Sequence, residues 1–553
     1  MVEHSGGVRK MRRLRLRRWQ KAALEAFESR QHRDFLAVAT PGAGKTTFAL
    51  TAIVRDFAHY PHRPVIVVTP TLHLKHQWAE AAAQFGLQLE PSWRATDGWP
   101  SDMHGIVVTY QQVASNDGSL RRWADDGFVV LDEIHHAGTD RAWGSGVATA
   151  FEPAAHRLSL SGTPFRSDQD PIPFVRYEFD EAVADYVYDY GAALEDGGVV
   201  RPVFFPAIGG HMEWSAPDGG LMKASFDDPL DRTGASQRLR TALSPQGEWL
   251  PTVLEQAHRQ LIHLRTQHAD AAALAIAMDV EHAHDIKRLL RRLDVDAVVA
   301  TSDDPLASEK IADFSGSTDP WIVAVRMVSE GVDVPRLRVG VYATNIVTDL
   351  FFRQAVGRIV RWQPTMRRQK AFMFIPDDIR LRSLAHQLGE ARTHSLKRRE
   401  ADGDQLPVEL DGIPTTDDTD QLSLFAAISA TPEVNSDPNS VFDDAHPEDL
   451  IVDDLDAPDQ FDLDIEFPPP PPRGGAPGGA EGATITVSRT RRKRELRQAN
   501  ADRARMLGHL TGLSPEAINA QLNQTAGITT VSEATVKDLE VRLAAADRWI
   551  DSA

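Results

Sequence analysis

The chain has no cysteine among its 553 residues. Disulfides, thiolate zinc sites, cysteine-held iron–sulfur clusters and cysteine nucleophiles are therefore excluded together. Long apolar runs are missing as well. The longest, AAALAIAM (271–278), falls well short of the roughly 18 residues that a membrane span requires. The basic start (Arg9, Lys10, Arg12, Arg13, Arg15, Arg17, Arg18) is not followed by the apolar core of a secretion signal. These absences predict a soluble, cytoplasmic protein with no membrane partner. Basic residues are lacking in one place only: 401–470 holds 20 Asp and Glu and no Lys or Arg. The formal net charge of −19 resides there, because the rest of the chain carries 60 basic and 59 acidic side chains. The body is balanced, so its overall acidity does not argue against a nucleic-acid partner.

A chain of this length exceeds one hydrophobic core. From Arg12 to Ser395, short β-rich runs alternate with helical stretches. FLAVAT (35–40), VIVVTP (65–70), GIVVTY (105–110), FVVLDE (128–133) and RLSLSGT (157–163) form one set. LAIAM (274–278), AVVAT (297–301), WIVAV (321–325), VGVYAT (339–344) and KAFMFIP (370–376) form a second. Unbroken Val/Ile/Leu runs between helices are the pattern of parallel strands buried on both faces, which predicts two α/β domains in tandem. The rhythm places the first domain and its basic arm in 1–205, a connecting segment in 206–245 and the second domain in 246–400. Residues 401–487 combine acid, PPPPP (468–472) and RGGAPGGAEG (473–482), a composition that predicts an acidic, disordered linker. One apolar island in it, QLSLFAAI (421–428), has the character of a docking segment. The charges also allow the acidic stretch to fold back on the basic residues 489–497. Residues 488–553 return to helical periodicity and predict a small α-helical domain, with Ser514–Pro515 starting one helix and Thr530 with Glu533 capping another.

Two local patterns carry chemistry. ATPGAGKTT (39–47) follows an apolar strand and opens a helix. Backbone N–H groups at a helix N-terminus bind phosphate, and glycines let the anion approach. Pro41, Gly42, Ala43, Gly44, Lys45, Thr46 and Thr47 are the expected nucleotide-binding residues. Lys45 reaches phosphate and the Thr46 hydroxyl holds Mg²⁺. FVVLDEIHH (128–136) puts two carboxylates at the tip of a buried strand. Asp132 suits a Mg²⁺ ligand and Glu133 suits activation of the attacking water. His135 and His136 have no nearby third ligand for zinc.

With these motifs the sequence resembles a superfamily 2 helicase or translocase over about residues 12–376. LRRWQKAAL (16–24) resembles the adenine-reading motif, with Gln20 as reader. VVTPTLHLKHQW (67–78) and IVVTYQQV (106–113) resemble motifs Ia and Ib, DEIH (132–135) motif II and SGTPFR (161–166) motif III. IVAVRMVSEGVDVP (322–335) resembles motif V, and FRQAVGRIVR (352–361) motif VI. The resemblance implies two RecA-like domains with ATP and Mg²⁺ in the cleft between them. Gln354, Arg358 and Arg361 join Glu133 in catalysis. Gly331 and Asp333 face the nucleotide, and His135, Ser161 and Thr163 couple the motifs. Nucleic acid crosses Thr69, Thr71, Thr109 and Ser329. The DEIHH and SGTPFR forms resemble the branch of the XPB repair helicase and of type III restriction translocating subunits. This implies DNA, duplex or single-stranded, over RNA. An RNA helicase, or an ATP-driven clamp without strand separation, is the alternative. The acidic linker and helical tail are candidate protein-binding segments.

Overall fold

The computed structural model describes residues 11–138, 141–162, 171–178, 181–215, 220–301, 303–304, 306–325, 334–364, 366, 369–400, 426–433, 460–469, 471, 485–511, 513–531 and 534–552. The apolar runs of the first half become strands because only a sheet covered on both faces buries every side chain in a row. The N-terminal part runs β1 (Met11–Arg17), α1 (Arg18–Ser29), β2 (Asp34–Ala39), α2 (Lys45–Phe57), β3 (Val65–Thr69) and α3 (Leu72–Gln84). It continues with β4 (Leu89–Glu90), β5 (Trp99–Pro100), β6 (Gly105–Thr109), α4 (Tyr110–Ala124), β7 (Phe128–Leu131), α5 (Arg141–Phe151) and β8 (His156–Ser161). A short hairpin, β9 (Arg176–Glu178) with β10 (Glu181–Val183), leads to β11 (Tyr186–Tyr188) and α6 (Tyr190–Asp196). The sheet order is β11-β2-β8-β7-β3-β6-β4, and every pair is parallel. Parallel strands end at one edge, where α/β sheets carry their ligands. The neighbours β2, β8 and β7 deliver the phosphate loop, Ser161 and the Asp132–Glu133 pair side by side. The strands β3 and β6 deliver motifs Ia and Ib further along the same edge.

The second sheet forms from β12 (Val203–Phe204), β13 (Ala207–Ser215), β14 (Leu221–Ser225), α7 (Arg232–Ala242), α8 (Trp249–Arg265), β15 (Ala272–Ala277), α9 (Val280–Arg291) and β16 (Ala297–Ala300). It is completed by α10 (Ala307–Gly316), β17 (Trp321–Val325), β18 (Leu337–Ala343), α11 (Asp349–Ile359), β19 (Ala371–Pro376) and α12 (Ile379–Glu400). Its order is β14-β13-β19-β18-β15-β17-β16. All ten apolar runs singled out in the sequence are strands. The stretch 206–245, expected to connect the domains, instead adds β13, β14 and α7 to the second sheet. The glycines and polar residues that break the rhythm there belong to an antiparallel hairpin at the sheet's edge, whose alternating pattern differs from a buried parallel strand.

Three pieces of the acidic stretch are ordered. β20 (Ala426–Glu433), which overlaps the apolar island, pairs antiparallel with β13. β21 (Gln460–Glu466) pairs antiparallel with β1. The alternation of the two strands matches: Arg13 and Arg15 meet Asp464 and Asp462 on one face, while Leu14, Leu16, Leu463 and Ile465 turn to the core on the other. Arg13 pairs with Asp462 at 2.7 Å. Phe467 then packs over Gly86, where a Cβ would lie 2.8 Å from its ring, and the Pro469 carbonyl lies 2.8 Å from His104 Nε2. β22 (Ile485–Thr486) pairs with β5. In the described part, the acids therefore meet the N-terminal arm, not the basic residues 489–497. The remainder of the acidic linker lies outside the described residues.

The tail is a bundle of α13 (Arg489–Thr511), α14 (Pro515–Ala526) and α15 (Val536–Ser552). Ser514 caps α14 with Pro515 at its first position, as predicted. α15 is capped by Thr535, whose hydroxyl accepts from Asp538 N while Asp538 accepts from Thr535 N. Glu533, expected to take that part with Thr530, lies outside the described residues. Arg542 on α15 is buried and donates to Asn500, Asn519 and Asn523 on the other two helices, so one satisfied polar cluster sets the bundle's register. No helix among the described residues is long and apolar enough to cross a membrane.

Candidate active site

The phosphate loop is held from behind. Arg17 donates to the Gly42 carbonyl at 2.9 Å, Trp19 Nε1 to Ala43 at 3.0 Å, and Gln20 Nε2 to Gly44 at 2.9 Å. With three successive carbonyls tied toward α1, the first amides of α2, which have no partner within the helix, remain for an anion. Gly42 (φ 82°) and Gly44 (φ 91°) are left-handed, a conformation glycine adopts without strain. At Gly44 a Cβ would also lie 2.7 Å from Gln20 Nε2. Gln20 thus serves the loop: its Oε1 accepts from Arg17 N at 2.9 Å, so both ends of the expected adenine reader are engaged here.

Lys45 begins α2, and its Nζ lies 3.0 Å from Glu133 Oε1 and 3.3 Å from the Ala39 carbonyl. Thr46 follows it in the first turn. Glu133 sits just past β7 with φ 48°, a left-handed conformation unusual for a glutamate. That turn swings its carboxylate toward Lys45 and lets Oε2 accept from Gly162 N at 2.9 Å. Burial pushes the Glu133 carboxyl up, but Lys45 and His135 outweigh it and hold it down at about 2. Asp132 goes the other way: burial and the Glu133 charge push it up to about 6, against a hydrogen bond from Trp78 and the charge of Lys45. Adjacent carboxyls are thereby split into one firmly ionised and one reluctant to ionise without a cation. The Trp78 Nε1–Asp132 Oδ2 bond is 2.7 Å, and Tyr110 Oη donates to the Asp132 carbonyl at 2.9 Å.

The second sheet closes on this edge. Gln354 Nε2 lies 3.1 Å from His135 Nε2, and His135 Nδ1 lies 3.4 Å from Ser161 Oγ. Arg361 Cγ is 3.7 Å from where a Cβ would stand on Gly42, and Gly357 packs so tightly on Pro41 that a Cβ would come within 2.5 Å of its ring. Arg358 is in the last turn of α11. Arg201, buried and unremarked in the sequence, donates to the carbonyls of Pro335, Leu337 and Arg361, and its own amide donates to Val360 at 2.7 Å. Its backbone neighbour Val200 bridges to Arg361, so the crossing between the domains anchors motif VI.

The expected nucleic-acid residues are placed differently. Thr69 is fully buried and its hydroxyl donates to the Thr71 carbonyl at 3.1 Å. Thr109 is buried and caps α4 in a reciprocal box with Gln112. Thr71 caps α3. The hydroxyls of Thr69 and Thr109, expected beside nucleic acid, are thus engaged within the domain. Ser329, Gly331, Asp333 and Thr163 lie outside the described residues. Sequence reasoning also missed Arg17, Trp19, Trp78 and Arg201. Trp78 lay within a quoted motif, but nothing local signals that its indole reaches a carboxylate 54 positions on.

A parallel sheet bearing a phosphate loop and a carboxylate-tipped strand, met across a cleft by a helix of a second parallel sheet, is a RecA-like tandem of helicase type. The chain belongs to superfamily 2 of the helicases, in the restriction-enzyme res-subunit branch. The family profile "Type III restriction enzyme, res subunit" matches residues 13–166. An uncharacterized protein of Mycobacterium tuberculosis is 46% identical over 412 residues, covering 72% of this chain and 67% of the relative. The "DNA 3'-5' translocase XPB2" of Sulfurisphaera tokodaii is 24% identical over 369 residues, 63% of this chain and 79% of that one. Among solved structures, a fragment of a putative HsdR subunit of a type I restriction enzyme from Vibrio vulnificus has a TM-score of 0.47 at 14% identity, covering 66% of this chain and 65% of that one.

Proposed function

We propose that this protein is a nucleic-acid-stimulated ATPase that translocates on DNA. The observation that carries the reading is the meeting of Lys45, Glu133, His135 and Gln354 at one sheet edge, with the Arg361 side chain over Gly42. Thr46 and Asp132 supply the oxygen donors that Mg²⁺ takes beside nucleotide phosphates, so the donor set fits that ion. Bound there, Mg²⁺ neutralises charge on the transferring phosphoryl group. The loop amides and Lys45 seat the β- and γ-phosphates. Glu133, kept ionised, orients and deprotonates the attacking water. Arg358 and Arg361 stabilise the charge that spreads over the phosphoryl oxygens. Gln354 and His135 tie closure of the second domain to the water-activating carboxylate. In this reading, residues 11–200 form the ATP-binding unit and 201–400 the unit that closes on it.

DNA is favoured because a relative 24% identical over 369 residues is a DNA translocase by name. The test is steady-state ATP hydrolysis with Mg²⁺ in the presence of duplex DNA, single-stranded DNA and RNA, paired with a strand-displacement assay. The expected result is stimulation greatest with duplex DNA and little displacement. Stimulation by RNA alone would replace DNA with RNA, and the absence of hydrolysis under every condition would refute the reading.

A further inference from the structure

The open edge of the first sheet carries three carboxylates, Glu90, Asp97 and Asp102, and the start of the tail occupies all three. Ser488 donates to Asp102 through its amide (2.6 Å) and hydroxyl (2.8 Å). Arg489 pairs with Asp97, and Thr490 donates to Glu90 through its amide (2.9 Å) and hydroxyl (3.0 Å). Ser488 is buried and also accepts from Arg491 N at 3.2 Å, so the first turn of α13 is fixed to the domain. The place matters. Glu90 and Asp97 bracket Trp93, whose carbonyl accepts from Gln112 of motif Ib at 3.3 Å, and Gln112 accepts from Lys75 of motif Ia at 2.8 Å. The tail is bolted beside both motifs.

Docking brings positive charge to this edge. Arg489 neutralises Asp97, Asp102 and Glu90 accept from neutral donors, and Arg491, Arg492, Lys493, Arg494 and Arg497 follow, with Glu495 as the one acid between them. Arg492 is tied to Glu540 of α15 and Arg491 to Glu495. Arg494 is exposed and has no ion pair among the described residues. Residues three apart on a helix share a face, so Arg491 and Arg494 present two guanidinium groups together. We propose that the first turns of α13 are an accessory phosphate-binding face that extends the first domain's nucleic-acid track and takes the backbone of duplex DNA. The inference rests on the proposed function. The face reads charge, not sequence, because arginine contacts to phosphate position a protein on DNA without reading bases.

The test uses the full chain and a labelled blunt duplex over a salt series. Arg491→Gln with Arg494→Gln is expected to weaken binding at low salt and to flatten the slope of log affinity against log salt by roughly one to two. Arg491→Lys with Arg494→Lys keeps the charge and is expected to keep the slope. Arg548→Gln, the loss of one such charge on α15, is expected to leave it unaltered. Wild-type affinity and slope in the double glutamine variant would overturn the proposal while leaving the DNA-dependent ATPase reading intact. An equally flattened slope in the double lysine variant would also overturn it, by assigning the arginines a structural part. Failure of the unaltered protein to bind any nucleic acid would refute both.

Discussion

The two halves of one sheet edge use their motif residues in opposite ways. Around β2, β8 and β7 the motif side chains reach other elements: Lys45 to Glu133, Glu133 to Gly162, His135 to Gln354. Around β3 and β6 the threonines turn back on their own loops, with Thr69 on Thr71, Thr71 capping α3 and Thr109 capping α4, even as Trp78 of the same stretch reaches Asp132. At the first place the chemistry lies in the side chains. At the second the hydroxyls of Thr71 and Thr109 shape strand-to-helix turns, each accepting from an amide of the helix it opens. A motif can therefore be spelled by the same residue types for catalysis or for backbone geometry, and only the partner of each side chain distinguishes them.

The sharpest break in the comparison would come at Arg361. Arg361→Ala is expected to lower turnover roughly 10³–10⁵-fold, the usual worth of such an arginine, with ATP affinity little altered. Equal losses in affinity and turnover would make Arg361 a ground-state binder. Next, Glu133→Gln is expected to cut turnover about 10²–10⁴-fold while nucleotide still binds. Single-turnover hydrolysis read beside nucleotide binding checks it, and wild-type hydrolysis would remove Glu133 from the chemistry.

Trp78→Phe should act more mildly. It deletes a hydrogen bond to a buried carboxylate worth about 1.5–3 kcal/mol, so the Mg²⁺ concentration for half-maximal activity should rise about tenfold or more. An unchanged Mg²⁺ midpoint would reduce Trp78 to a packing residue. The smallest effect sharpens the other side of the comparison. Thr109→Val removes a helix cap and should cost about 0.5–2 kcal/mol of stability, seen in denaturant melts, with DNA affinity unchanged. Lost DNA affinity without lost stability would mean that this hydroxyl faces the nucleic acid after all.

Much of this was legible in advance because it is local. Runs such as VIVVT and FVVL can be satisfied only by burial on both faces, and a loop with Gly42, Gly44 and Lys45 before a helix has one common use. The domain boundary was less legible. The hairpin β13–β14 lies on a sheet edge, where glycine and polar residues are tolerated, and so it resembled a connection. Apart from its apolar island, the acidic stretch has the composition of a linker because net charge masks the alternation in QFDLDIE, whose apolar positions pack only when an equally alternating partner, MRRLRLR, lies opposite.

By itself the sequence determined the ten buried apolar strands, the phosphate loop, the paired carboxylates, the arginine helix and the helical tail, since each depends on residues within a few positions of one another. The tertiary structure decided which distant groups serve them. It brought Arg17, Trp19 and Gln20 behind the loop, Trp78 onto Asp132, Arg201 under motif VI, and the acids Glu90, Asp97 and Asp102 onto the first turn of α13. Such partners are chosen by which strand edges and buried polar atoms remain unsatisfied once the sheets have formed, and that remainder exists only in the folded chain.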